Sequence, residues 1–364
     1  MFNYLGLHLS AHPARLRVIK KKGNKNMAHE LESQNGVASF ASFREPAWHG
    51  LGTVFTEEKT TSEMLETANL NGWNVRLEEL EIPSTLTSDK NYQYVVRTNP
   101  TDKTQTDVLG IVGERYVPLQ NEELFSFGDN ILDGGGRWET AGSIRGGRVV
   151  FGSLALERET VLDPSGVSDK VKTYLLINTS HDGSVAIQAS ITPVRVVCAN
   201  TLNLALGRTK KRDGVKQSFK IRHTQTANGK VAIARQALGL ANSYMDEFDK
   251  MAHAMIGKEV SAKQFNEIIL AAYPKPEKDA KGAFKKWENK IDLINDIYTG
   301  EFNHMIAGNA WGAFNALTER LDWYRSARGA NNESLLASAS GFDPAINAEK
   351  NRLLKVVQDV MQLA

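Results

Sequence analysis

One cysteine, Cys198, is all the thiol chemistry in this 364-residue chain. That excludes a disulfide framework and any zinc site built on several cysteines, and it suits a reducing compartment. No run of about eighteen apolar residues occurs, so no helix that crosses a bilayer is expected. The chain also lacks G-x-x-x-x-G-K-[ST], a G-x-G-x-x-G between strand and helix, G-x-S-x-G and H-E-x-x-H. Phosphate-loop, dinucleotide, serine-hydrolase and zincin chemistry therefore have no sequence support, and no cofactor or metal is expected. An excess of one charge is missing too: 44 Lys and Arg face 42 Asp and Glu, for a net charge of +2.

That near-balance hides a split. Residues 1–26 hold Arg15, Arg17, Lys20, Lys21, Lys22 and Lys25 and no acid, which leaves the rest of the chain at −4. The interrupted apolar pattern of this stretch does not fit a targeting peptide. A disordered basic leader or a mis-assigned start before Met27 is expected. Because the body is slightly acidic, any nucleic-acid surface must be local.

What is present is a core. The 41% hydrophobic content supports a folded chain, and its periodicity changes midway. Up to about residue 225, short apolar or alternating runs separated by turn residues predict strands at 75–82, 92–97, 108–117, 149–156, 171–178, 184–191 and 194–198. Thr60 with Glu63 forms a capping box, Asn121 is placed to cap a helix over 121–132, and Gly146-Gly147 signals a hairpin. Pro193 marks a break, and a short helix is expected over 199–206, capped by Asn200 or Thr201. Beyond 226 the spacing becomes helical, over 230–256, from Ser261, over 285–299, 308–328 and 348–363. The expected class is α+β: a mainly antiparallel twisted sheet with packed helices over 27–225, then a helical region over 226–364.

Three sets of residues could carry function. The segment 208–222 holds Arg208, Lys210, Lys211, Arg212, Lys216, Lys220 and Arg222 against Asp213 alone. At period two, Lys216, Ser218, Lys220 and Arg222 share one face of a strand, a phosphate-binding arrangement or a solvated edge that discourages unwanted pairing. Arg195 would add a cation, and Trp138 or Phe219 a stacking face. On the 308–328 helix, Trp311, Asn315, Thr318, Glu319 and Asp322 share a face that could meet a partner. Cys198, His181 and Asn200 are the right types for a thiol nucleophile, its base and an orienting group, although a lone cysteine ending an apolar strand is more often a buried small hydrophobe. The stripe Phe284, Trp287, Ile291, Ile294 and Tyr298 reads as core.

The segments AWHGLG (47–52), LGIVGERYVPLQN (109–121), NTSHDGS (178–184), RVVCANTL (195–202) and AWGAFNALTERLD (310–322) resemble landmarks of the phage/plasmid-like proteins, a family of mobile elements and prophages built on a domain of unknown function (932). The resemblance implies an accessory protein of the bacterial host cytoplasm and transfers no catalytic residue. Three readings stay open: a single-stranded nucleic-acid binder that could anneal strands and self-associate, a non-catalytic interaction or host-defence-countering factor, and a cysteine hydrolase.

Overall fold

The structure, a computed structural model, describes residues 31–44, 51–80, 91–133, 135–163, 166–184, 187–195, 200–201, 218–220, 227–277, 282–324 and 344–363. It opens with the hairpin β1 (Ser33–Gln34) and β2 (Val37–Ala38), followed by β3 (Phe40–Phe43) and β4 (Thr53–Phe55). Helix α1 (Thr61–Thr67) starts at the expected capping box, with Thr60 and Glu63 satisfying each other's backbone N–H groups. A separate three-stranded meander follows: β5 (Arg76–Glu79), β6 (Tyr92–Thr98) and β7 (Thr106–Gly113).

Helices α2 (Asn121–Ser126) and α3 (Gly128–Leu132) lead into the long strands β8 (Arg137–Ile144), β9 (Val149–Leu162), β10 (Asp169–Ser180) and β11 (Gln188–Arg195). The short strands β12 (Asn200–Thr201) and β13 (Ser218–Lys220) both pair with β11. The main sheet runs β4-β3-β8-β9-β10-β11-β12, with β13 also on β11; among the described residues only β3 and β4 are parallel. The apolar run at 149–156 thus becomes an inner strand, as expected of a segment buried on both faces.

Strand alternation divides the sheet into two faces. Val150, Leu154, Leu175, Ile177, Ala189 and Ile191 point into the large core shared with the helices. Val149, Phe151 and Leu176 join Phe40, Ile144 and Leu31 in a smaller cluster on the opposite face. The α+β class is as expected, antiparallel pairing dominates, and helices follow the strands.

Those helices are α4 (Ala227–Ile256), α5 (Ala262–Ala272), α6 (Ala283–Thr299), α7 (Ala310–Trp323) and α8 (Pro344–Met361). On α4, Ala241, Tyr244, Met245, Phe248, Ala252 and Met255 are buried at helical spacing. Arg158 of β9 fixes this helix to the sheet through Asp246 at 2.7 Å and Asp249 at 2.8 Å. The Trp311 indole on α7 donates to Asp169 at the start of β10 at 2.8 Å and meets Phe248 edge-on. Among the described residues, no helix is long and apolar enough to cross a membrane.

Three local expectations differ from the structure. Pro193 does not break a strand: β11 runs through it opposite Thr173. The proline falls between the stretches of β11 paired with β13 and with β12, where an edge tolerates a missing N–H. Asn200 and Thr201 continue the sheet instead of capping a helix. Asn121 is not a cap either. Gln120 takes that position, and the Asn121 side chain turns into the core, donating to the Leu70 carbonyl at 2.7 Å.

Candidate nucleic-acid interface

At its β13 end the sheet places chemistry in register. Lys220 stands opposite Gln188 and Ser218 opposite Ser190, while Gln188 stands opposite Asn178 and Ser190 opposite Leu176. Thr192 and Tyr174 form the next paired position. This series is rich in hydrogen-bonding groups: among the described residues, the buried Asn178 Oδ1 and Thr192 Oγ1 have no hydrogen-bond partner. Buried polar groups without a partner are uncommon, and an ordered water or a bound group is what ordinarily completes them. Phe219 stands instead opposite Ala189, which stands opposite Ile177, two core residues. The backbone of Arg195 closes the far end of β11, paired with Asn200. Cys198, Arg208, Lys210, Lys211, Arg212, Lys216 and Arg222 lie outside the described residues.

A second polar group lies where the meander meets the main sheet. Arg97 of β6 is fully buried between two carboxylates. Its Nη1 donates to Glu32 Oε2 at 3.0 Å and Nη2 to Glu32 Oε1, while Nε and Nη2 donate to Asp107 Oδ2 at 3.0 and 2.9 Å. The guanidinium lies 4.0 Å above the Trp73 ring. Burial would push the Asp107 carboxyl up, but hydrogen bonds from Asn99, Gln34 and Arg97 outweigh it and hold its pKa below the ordinary value. The β8–β9 turn closes over this group at Gly147, where φ is 84°. A Cβ there would collide with the guanidinium, so glycine is required by both conformation and space.

His181 also packs against Trp73, with ring centroids 5.8 Å apart. Its Nε2 is 2.9 Å from Asn121 Oδ1, and its buried Nδ1 has no partner among the described residues. Burial, reinforced by the charge of Arg97 and opposed by Asp182, lowers its pKa from 6.5 to about 4. The neutral form is therefore favoured in the fold. Stability from this site is complete above pH about 6.5, where unfolded chains are also neutral, and is lost as pH falls toward 4. In urea titrations, the gap in stability between wild type and His181→Gln should narrow from pH 7 to pH 4.5. A gap that stays constant would contradict this assignment.

Of the three thiol-site candidates, Cys198 lies outside the described residues, and the other two, Asn200 and His181, do not meet. Asn200 stands opposite Arg195, and Arg195 opposite Val171, ten residues along β10 from His181. At the rise of an extended strand this separation is about 30 Å. Asn200 and His181 mark opposite ends of the sheet.

A family model described as a domain of unknown function, DUF932, matches residues 108–340, more than half of the chain. The chain belongs to the DUF932 family. No curated protein and no solved structure matches it. The DUF932 match begins inside β7 and includes the strands β8 to β13 together with α4 to α7. Arg97 and Glu32 lie before it, yet they close over the matched sheet.

Two sets of residues expected on the DUF932 surface are core. Trp138 is fully buried, tilted against Phe125 with ring centroids 4.9 Å apart, and donates to Thr61 Oγ1 at 3.0 Å, so it offers no stacking face. Gly128 and Gly152 allow this close fit, since a Cβ at Gly128 would clash with the indole and one at Gly152 with the Phe125 ring packed against it. On α7, Trp311, Asn315, Thr318, Glu319 and Asp322 are all buried. The chain itself covers them, Trp311 through Asp169 of β10. Lys350 Nζ of α8 meets Asp322 Oδ1 at 2.6 Å, and Asn303 donates to Glu319 Oε2 at 3.0 Å.

The surface that sequence reasoning missed lies where α5, α6, α7 and α8 converge. Lys290 Nζ is 4.5 Å from the centre of the Tyr273 ring, with the guanidinium carbons of Arg320 and Arg352 at 5.3 and 5.7 Å. Beside them, Lys275 lies over Phe284 and Trp287 at 5.2 and 5.7 Å. The aromatic stripe of α6 is core only at Ile294 and Tyr298; Phe284 and Trp287 are half-buried. Single-helix periodicity could not show this, because the cations come from three helices and a loop.

Proposed function

We propose that this DUF932 protein is an accessory protein of a phage, plasmid or prophage that acts in the bacterial cytoplasm. In this reading it binds single-stranded nucleic acid, and can anneal it, at the β11–β13 edge of the sheet. The register carries the reading: Lys220 continues a polar series on β10 and β11 in which Asn178 and Thr192 keep unpartnered oxygens. A local charge of +6 over 208–222, in a body that is otherwise slightly acidic, supports a confined phosphate-binding strip. Single strands suit this chemistry, since backbone charge attracts them and their bases are free to accept and donate hydrogen bonds.

Neutralising Lys216, Lys220 and Arg222 together to Gln removes three cations from the strip. The slope of log affinity against log salt for a single-stranded oligonucleotide should shrink by about 2. A triple variant with the wild-type slope would overturn the placement of the site.

A further inference from the structure

We infer that Lys290, Arg320 and Arg352, gathered around the ring of Tyr273, form a phosphate-binding site on the helical layer, separate from the basic strand. The geometry leaves these charges under-compensated. Arg352 donates to both oxygens of Glu349, at 2.8 and 2.7 Å, and to the Ala272 carbonyl at 3.0 Å. Arg320 donates to Tyr273 Oη at 3.4 Å, and among the described residues neither Arg320 nor Lys290 has a carboxylate within ion-pair distance. Glu349 is the one carboxylate whose charge acts on Lys290, against Arg320 and Arg352. Three cations around one carboxylate leave a local excess of two positive charges.

The arrangement is also held in place. Trp287 Nε1 donates to the Tyr273 carbonyl at 2.8 Å, fixing the loop after α5 against α6. Arg352 uses Nε and Nη2 on Glu349 and Ala272, and Arg320 uses Nη1 on Tyr273, so the remaining guanidinium N–H groups and the Lys290 ammonium are what an added acceptor would meet. Partial burial of Lys290, reinforced by Arg320 and Arg352, lowers its ammonium pKa, the direction an incoming anion would reverse. A tetrahedral oxyanion with several acceptors can take the remaining N–H groups of two guanidiniums together with an ammonium, which the single Glu349 carboxylate does not satisfy. The phosphate could belong to a small phosphorylated molecule or to a nucleic-acid backbone.

Titration of the full chain with inorganic phosphate, pyrophosphate and oligo(dT), each against chloride at matched ionic strength, separates these sources. Saturable thermal stabilisation by phosphate or pyrophosphate points to a small ligand, and a response to oligo(dT) alone points to a backbone. In either case K290Q/R320Q should weaken the response by about tenfold for each charged contact removed. K216Q/K220Q/R222Q should leave stabilisation by phosphate or pyrophosphate unchanged, so failure of the strand site and failure of this one are told apart. Should K290Q/R320Q not fold, acylation of Lys290 in the wild-type protein provides the second readout. The responding probe should slow it several-fold relative to chloride. No response beyond chloride to any of the three probes, or a response that K290Q/R320Q retains in full and that does not protect Lys290, overturns the site.

Discussion

Replacing Arg97 by leucine should cost about 3–5 kcal/mol of folding stability, because it leaves the buried Glu32 carboxylate and the partly buried Asp107 without their cation. The loss is not that of a surface pair, whose typical value is below about 1 kcal/mol. Ser143 and Gln34 would still donate to Glu32 and Asp107, respectively, but neutral donors do not balance the charge. The cluster also ties Leu31–Gln34 and the meander to the β8–β9 hairpin, so separation of these parts is the expected consequence. Urea unfolding of Arg97→Leu measures it. The double variant with Glu32→Gln should recover part of the loss, since the stranded charge is removed. A cost below about 1 kcal/mol in the single variant would show that the group is solvated.

Lys350→Met should have a similar effect, about 3–5 kcal/mol, in the helical layer. Lys350 is fully buried and Asp322 nearly so, at 0% and 5% side-chain exposure, so the methionine would leave a carboxylate facing an apolar group. Adding Asp322→Asn should restore much of the stability, giving a large favourable coupling in the double-mutant cycle. Independent effects of the two substitutions would mean that the pair does not hold α8 on α7.

These clusters explain what could be seen in the sequence. Local signals were legible because their physics is local: the Thr60–Glu63 and Ser261–Gln264 capping boxes, the glycine turn between β8 and β9, and the apolar periods of β9, β10, α4 and α6 all form. Pairing across the chain was less legible. The polar face of α7 resembles a solvent or partner surface until Lys350 and Asn303 arrive from other segments. Trp138 looks available until Gly128 and Gly152, on the neighbouring helix and strand, make room for it. Arg97 reads as the polar end of an alternating strand, and only Glu32, 65 residues away, gives it a buried partner. The Tyr273 surface combines residues from 273 to 352, beyond the reach of any single-helix period.

The functional reading rests on a sheet edge where charge and unpartnered polar groups share a register. Its most direct test is equilibrium binding of a fluorescently labelled single-stranded oligonucleotide to the wild-type protein, followed by anisotropy from low to physiological salt. The expected result is saturable binding at low salt with an affinity that falls linearly on a log–log scale. No measurable binding at low salt would contradict it.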